Sequence, residues 1–167
     1  MENKGYTLIE MLVAMALFSI LIVMVMNTFM RGFYFQKRIV EMQALQREEA
    51  YLTETMSREI RMATDIATSQ QALNGVTSLV FSNNEGNATT YCLADSSGIC
   101  SSTGQYFAVN GKVVNSTEIR VISLRFFTSQ DFANKQPIVT TVLQLQSKKE
   151  IGVETRLQTS VAMRLYR

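Results

Sequence analysis

Few residues in this sequence could do chemistry, and its two cysteines are the most obvious of them. Cys92 and Cys100 have seven residues between them in a stretch rich in Ser and Gly, and the sequence contains no His and no Trp. Two thiolates cannot supply the four ligands of a structural zinc site without help from carboxylates, and without His neither a His-based metal site nor a His general base can form. The cysteines are therefore either a local disulfide or two free thiols, and the compartment decides which.

No motif for catalysis or cofactor binding accompanies the cysteines. The sequence lacks a Gly-rich phosphate loop, its Ser and Cys residues cannot have a His partner, and its carboxylates form no recognisable pair. The 16 Lys and Arg residues nearly balance the 14 Asp and Glu residues, without the basic run that is typical of nucleic-acid binding. We therefore predict a protein that is not an enzyme, has no cofactor and makes no nucleic-acid contact of its own.

Glu10 also needs a chemical explanation, because it borders a long apolar run. From Met11 to Met30, twenty residues carry no charge. A helix of about 20 residues, rising about 1.5 Å per residue, spans a hydrocarbon core of about 30 Å. An acid at the centre of such a helix costs about 2.5–3.5 kcal/mol on insertion scales. At the edge, Glu10 is either the interfacial end of the helix, favoured there by the helix dipole, or a functional group.

Three alternatives to a membrane anchor fit the apolar run less well. A core helix of a small domain is rarely apolar all round, and an interfacial helix would show a polar face, whereas only Ser19, Asn27 and Thr28 are polar here. A secretory signal is cut at a small-residue site after its apolar stretch, but Ala14-Met15-Ala16 lies in the middle of the run. The run is therefore predicted to stay on the protein as an anchor.

A helical pattern continues beyond the apolar run. Arg31, Lys37 and Arg38 mark an interface, and no Gly or Pro interrupts residues 33–73. One helix is therefore predicted from near Tyr6 to about Ala67. Glu49 falls inside its apolar stripe without an explanation from the sequence. The stripe consists of Leu45, Leu52, Met56, Ile60, Ala63 and Ala67.

After Thr68 the helical pattern gives way to alternation that is typical of strands. Residues 83–87 read as a turn, and Asn110-Gly111 is a two-residue hairpin signal between 106–109 and 112–114. We predict an α+β fold in which the long N-terminal helix covers one face of a C-terminal antiparallel sheet. The residues predicted to alternate toward that face are Ile122, Leu124, Phe126, Leu143, Leu145, Leu157, Val161, Met163 and Leu165.

The opening residues 4–10, Lys-Gly-Tyr-Thr-Leu-Ile-Glu, run directly into the apolar stretch. They resemble the class III leader and processing site of type IV pilins and pseudopilins, with Tyr6 where the family more often has Phe. The resemblance implies that a prepilin peptidase cuts between Gly5 and Tyr6 and methylates Tyr6. It also implies that Glu10 serves assembly by contacting the N-terminal amine of a neighbouring subunit. Residues 56–63 and 157–164 are similar to J-type minor pseudopilins and related minor pilins.

The resemblance further implies a domain organisation and a location. Residues 1–5 would be the leader, 6–30 the transmembrane and assembly helix, 31–67 an extracytoplasmic amphipathic helix and 68–167 the β-domain. The protein would sit in the bacterial inner membrane with its N-terminus cytoplasmic, and then enter a pilus or pseudopilus. Its partners would be the prepilin peptidase, inner-membrane lipid and other pilins or pseudopilins. An extracytoplasmic β-domain meets oxidising conditions, so Cys92 and Cys100 are expected to form a disulfide.

The function implied is that of a minor structural subunit in a type II secretion pseudopilus or a type IV pilus, serving secretion, pilus assembly or DNA uptake. A single-pass protein that binds an extracytoplasmic ligand is the first alternative, and it predicts an intact or unmodified N-terminus. A tethered envelope enzyme or carbohydrate-binding module is the second. Aromatic residues on one exposed sheet face would favour it, and the sequence shows no clear cluster of that kind.

Overall fold

The computed structural model describes residues 7–66, 75–129, 137–150 and 152–164. Gly5, Tyr6, Ala67 and Leu165, which carried sequence predictions, lie outside these ranges. A long helix is followed by antiparallel strands, as the α+β prediction requires. The elements are α1 (Leu8–Met62), β1 (Asp65–Ile66), β2 (Ser78–Ser82), β3 (Ala88–Ala94), β4 (Tyr106–Val109), β5 (Lys112–Val113), β6 (Ile119–Thr128), β7 (Ile138–Ser147) and β8 (Glu154–Ala162).

The chain divides into two compact units, Met1–Val40 and Glu41–Arg167. In the first unit the described residues are helical from Leu8 onward. In the second, the remainder of α1 is joined by two antiparallel sheets rather than the single sheet expected from the sequence. Their strand orders are β1-β2-β3-β4-β5 and β6-β7-β8. A bridge between Val76 and Phe126 and a hydrogen bond from the Val121 N–H to the Gln105 carbonyl (2.8 Å) connect the sheets.

The apolar stripe of α1 forms one wall of the core in the second unit. Leu45, Leu52, Met56 and Ile60 are buried, and so is Ala63 just after the helix, which confirms the predicted stripe over the described residues. Burial of each large aliphatic side chain stabilises the fold by about 1.5–3 kcal/mol. The opposite wall comes from the strands, whose largest buried side chains are Leu79, Phe81, Tyr91, Phe107, Leu124, Phe126, Leu143 and Leu145.

The helix ends at Met62, before the predicted boundary at Ala67. The Thr64 N–H donates to the Ser82 carbonyl (2.9 Å), and β1 pairs with the end of β2. The backbone after Met62 therefore finds its partners in the sheet, where helical periodicity no longer applies. The helix is therefore shorter than predicted, and the first strand begins at Asp65.

Strand β6 departs from the predicted alternation at one residue. Its register with β7 shifts between Val121 and Ser123, so Ile122 sits in a β-bulge and is 43% exposed. Val121 faces the core instead, whereas Leu124 is buried as predicted. A bulge inserts one extra residue and reverses the facing of what precedes it, which is why simple alternation failed at Ile122. The alternation is confirmed at the other described positions, where Phe126, Leu143, Leu145, Val161 and Met163 are buried and Leu157 is half-buried.

Both predicted turns join strands in the structure. Asn110 and Gly111 adopt positive φ angles of 51° and 79° and link β4 to β5, as the hairpin signal predicts. The turn between β2 and β3 is held by the Asn83 side chain. Its Oδ1 accepts hydrogen bonds from the N–H groups of Glu85 (3.0 Å) and Asn87 (2.9 Å). Such local side-chain bonding explains why Asn favours turns.

Candidate functional site at the helix start and helix seam

Thr7 caps the start of α1. The Glu10 N–H lies 3.4 Å from the Thr7 hydroxyl oxygen and 3.1 Å from its carbonyl oxygen, and the Met11 N–H donates to the same carbonyl. Thr7-Leu8-Ile9-Glu10 has the Ser/Thr-x-x-Glu spacing of a capping box, in which the N-cap side chain satisfies an unpaired helix N–H. That spacing could have revealed the role of Thr7 from the sequence, and our sequence reasoning missed it.

Glu10 lies in the first turn of α1 and is exposed. Among the residues that the structure describes, no cation lies within ion-pair distance of its carboxylate. The positive end of the helix dipole stabilises an acid here by about 0.3–1 kcal/mol. The carboxylate is thus held at the helix start with its charge available to a group outside the described chain.

The apolar part of α1 has the properties of a membrane span. An 18-residue window has a mean hydropathy of 2.7 and none of it is buried, so by length and composition the helix can cross a membrane. Two of its polar side chains are satisfied internally. The hydroxyl of Ser19 donates to the Met15 carbonyl (2.8 Å) and that of Thr28 to the Met24 carbonyl (3.0 Å). Such bonds remove the cost of an unpaired hydroxyl in hydrocarbon.

One family model matches the chain: the prokaryotic N-terminal methylation motif matches residues 1–26. The match covers the leader, the helix start and most of the apolar run, and it supports a type IV pilin-like protein. In such a protein the chain is a structural subunit and carries a leader that a prepilin peptidase processes. No curated protein and no solved structure matches the chain.

Four glutamates on α1 connect the helix to three β-strands and to the loop before β6 in the second unit. Each accepts a hydrogen bond from an uncharged donor, and together they form what we call the carboxylate seam. Glu49, which interrupts the apolar stripe, is among them, so the structure explains the residue that the sequence did not. The pairs are Glu41 with the Ser147 hydroxyl (2.8 Å), Glu48 with the Ser116 N–H (2.8 Å), Glu49 with the Thr155 hydroxyl (2.7 Å) and Glu59 with the Tyr91 hydroxyl (2.5 Å).

Tyr91 is the most deeply buried member of the carboxylate seam. Its side chain is 0% exposed and its ring packs against Phe81 and Phe107, with centroid distances of 5.1 and 5.4 Å. Burial, and then the hydrogen bond and negative charge of Glu59, raise the pKa of the Tyr91 hydroxyl well above its usual range. Tyr91 therefore remains a neutral donor to Glu59 at every physiological pH.

In the structure Cys92 of β3 and Cys100 are bonded, with their Cα atoms 5.7 Å apart. The loop they close turns on Asp95, whose carboxylate accepts hydrogen bonds from Ser97 and Ile99. Chiefly the Ser97 hydroxyl bond holds the pKa of that carboxyl below its usual value. Gly98 touches the 110–111 hairpin turn so closely that an added Cβ would lie 2.0 Å from a backbone oxygen there. Among the described residues, no group of three or more His, Cys, Asp and Glu side chains could hold a metal ion.

Proposed function

We propose that this chain is a minor subunit of a type IV pilin-like filament, either a type II secretion pseudopilus or a type IV pilus. The observation that carries the proposal is the methylation motif at residues 1–26, which leads into a helix that is exposed and apolar enough to span a membrane. In this reading the peptidase cuts between Gly5 and Tyr6, and Tyr6 becomes the methylated N-terminus.

The position of the cut explains why the anchor survives processing. Helix α1 runs from Leu8 to Met62, so cleavage after Gly5 leaves both the apolar run and the buried stripe on the product. A cut inside the apolar run would remove the cap at Thr7 and separate the helix from its own first turn. The mature subunit waits in the inner membrane with its β-domain outside the cytoplasm, where the bond between Cys92 and Cys100 forms and persists.

Glu10 is the assembly residue in this proposal. When apolar helices pack side by side in a filament, an acid at the helix start must find a cation or remain unpaired at a cost of several kcal/mol. The methylated amine of Tyr6 on an adjacent subunit is a cation of suitable charge and position. Among the described residues Glu10 has no ionic partner in its own chain, which favours a partner in another subunit.

Mass spectrometry of the membrane-extracted protein tests processing. We expect a mature mass that lacks residues 1–5 and includes one added methyl group at Tyr6. A Gly5→Ala variant changes only the residue before the proposed cut. A difference in its mass from the processed wild type therefore reports on the cleavage site and not on the helix or the β-domain. A wild-type protein that retains Met1, or an unmodified mature N-terminus, would contradict the proposal and favour a signal-anchored binding protein.

Substitution of Glu10 tests assembly. Glu10→Gln retains a side chain that suits the third helix position and removes the charge, whereas Glu10→Ala removes both. We expect both variants to be processed and to reach the wild-type level in the membrane, while their incorporation into sheared filaments falls at least about tenfold, since removal of one partner from a buried ion pair costs about 3–5 kcal/mol. Normal co-assembly of Glu10→Ala would leave Glu10 with a capping role only.

A further inference from the structure

The edges of the two sheets differ sharply in length and cover. In the five-stranded sheet the edge strands β1 and β5 contain two residues each. In the three-stranded sheet, β6 is bridged by Val76, but β8 has nine residues with neither Pro nor a register shift. Proteins usually blunt such edges because a long row of free backbone groups templates pairing with another chain. Among the described edge strands, only β8 combines this length with the absence of Pro, a register shift and a bridge to another segment.

The hydrogen-bond register shows which backbone groups of β8 point outward. The Ser147 N–H donates to the Val153 carbonyl, and the Met163 N–H donates to the Pro137 carbonyl, both at 3.0 Å. Odd-numbered residues of β8 therefore bond to β7, and the even-numbered ones, residues 154–162, direct their N–H and C=O groups to the open edge. No hydrogen bond from any described residue reaches these five outward-facing backbone positions.

A groove lies beside this edge, between β8 and helix α1, with a volume of about 460 Å³. Its Thr53 hydroxyl is buried and has no hydrogen-bond partner among the described residues, and Leu157 is only half-buried. A bound segment that brings a hydrogen-bonding group to this hydroxyl would satisfy it, and an unpartnered buried hydroxyl costs about 1–3 kcal/mol. The residues that line it are Gln46, Glu49, Ala50, Thr53, Glu54, Thr155 and Leu157.

We propose that β8 receives an extended segment of a partner subunit as a further strand of this sheet, a mode of recognition in which backbone bonds give affinity and alternate side chains give specificity. The inference rests on the proposed function, which supplies neighbouring subunits. The charges define the segment. The charged residues that line the groove are Glu49 and Glu54, so the segment carries Lys or Arg on the side that faces α1 and a small apolar residue beside Leu157.

A second copy of β8 does not meet this requirement. Antiparallel self-pairing centred on Gln158 would place Thr155, Leu157 and Thr159 of the copy on the side of the sheet that faces α1. None of these residues is basic, so Glu54 would stay unmatched in both copies. A different subunit with an alternating basic and apolar segment is therefore the occupant that we infer.

Site-specific photo-cross-linking in the full-length chain, in membranes of its own host, tests the inference. With the photoreactive residue in place of Ser160, we expect an adduct whose mapped peptide belongs to another filament subunit and alternates apolar residues with a Lys or Arg. The same probe at Arg125, which is exposed on β6, should not yield that peptide. Support for the inference comes from the sequence of the cross-linked peptide, because the capture of a partner alone does not identify the segment.

Two substitutions then separate backbone pairing from general proximity. Gln158→Pro removes an outward N–H and should lower the adduct yield about tenfold, whereas Gln158→Ala keeps that N–H and should stay within about twofold of wild type. Glu54→Lys should lower the yield at least about threefold, with Arg58→Ala as a control for a change on the same helix. Folding is verified by the resistance of the disulfide between Cys92 and Cys100 to a mild reductant, with any released thiols detected by maleimide. If the Pro variant fails there, Glu54→Lys decides the outcome.

Three results would overturn the inference: an adduct of this chain with itself mapped to β8, no subunit adduct from Ser160, or an adduct that is unaffected by both substitutions in folded protein. Removal of the leader is measured in the same samples. If the leader is intact, the proposed function fails. If the leader is removed and no such adduct forms, only the pairing at β8 fails.

Discussion

Tyr91→Phe tests whether the carboxylate seam stabilises the second unit. The ring keeps its contacts with Phe81 and Phe107, so the change removes only the hydroxyl that donates to Glu59. A hydrogen bond to a charged acceptor contributes about 1.5–3 kcal/mol, and we expect the free energy of unfolding to fall by that amount. For a domain of this size the midpoint of thermal unfolding should then drop by about 5–10 °C.

Denaturant unfolding of the detergent-solubilised full chain, followed by near-ultraviolet circular dichroism, measures the effect. A double-mutant cycle with Glu59→Ala should give a coupling energy of about 1.5–3 kcal/mol, because either change alone breaks the same bond. A loss below about 0.5 kcal/mol for Tyr91→Phe would refute the reasoning, since that is the range of neutral surface substitutions.

The pH dependence tests the burial of the Tyr91 hydroxyl, which is the main cause of its raised pKa, together with its bond to Glu59. The pKa of Tyr91 is raised in the folded state above 10.0, so its contribution is fully present below pH 10 and is lost as the pH rises further. Above pH 10 the unfolded chain releases the Tyr91 proton while the folded chain retains it. Wild-type stability should therefore decline by about 1.4 kcal/mol per pH unit more steeply than that of Tyr91→Phe. Parallel pH profiles would contradict this assignment.

Three further expectations follow from the β-domain. Reduction of the disulfide under native conditions should lower the free energy of unfolding by about 2–3 kcal/mol. An unchanged free energy of unfolding would contradict this expectation. Ile122→Ala should cost under about 1 kcal/mol and Leu124→Ala about 2–5 kcal/mol, because the bulge exposes the first and buries the second, and equal costs would argue against the bulge. Gly98→Ala should destabilise by at least about 1 kcal/mol more than Gly86→Ala. Both have positive φ angles, but only the first meets neighbouring backbone, so equal losses would exclude the close approach.

The sequence predicted the parts of this fold that depend on periodic burial. The spacing of Leu45, Leu52, Met56 and Ile60 follows from helical geometry alone, and the 110–111 hairpin follows from the positive φ angles that Asn and Gly tolerate. The apolar run was likewise predictable from its length and composition, and the role of Glu10 beside it stays a prediction.

The features that the sequence did not predict depend on partners far along the chain. Glu49 looked like an error in the stripe because its donor, Thr155, lies 106 residues away. The end of the helix at Met62 depends on strand partners around Ser82, and the bulge at Ile122 depends on its register with β7. The local sequence does not reveal contacts between residues so far apart in the chain. The capping spacing at Thr7 is local and was therefore predictable.

The carboxylate seam has a consequence for the media in which the protein can work. Dissolved ions screen the interaction between exposed charges. The screening length is about 8 Å at 0.15 M and about 3 Å at 1 M, so exposed ion pairs weaken as the salt concentration rises. The described ion pair of that kind, Lys149 with Glu118, has both side chains more than half exposed. Every bond of the seam instead joins a carboxylate to a hydroxyl or an N–H. The hydrogen bonds of the carboxylate seam should therefore connect α1 to the rest of the second unit at both low and high salt concentration.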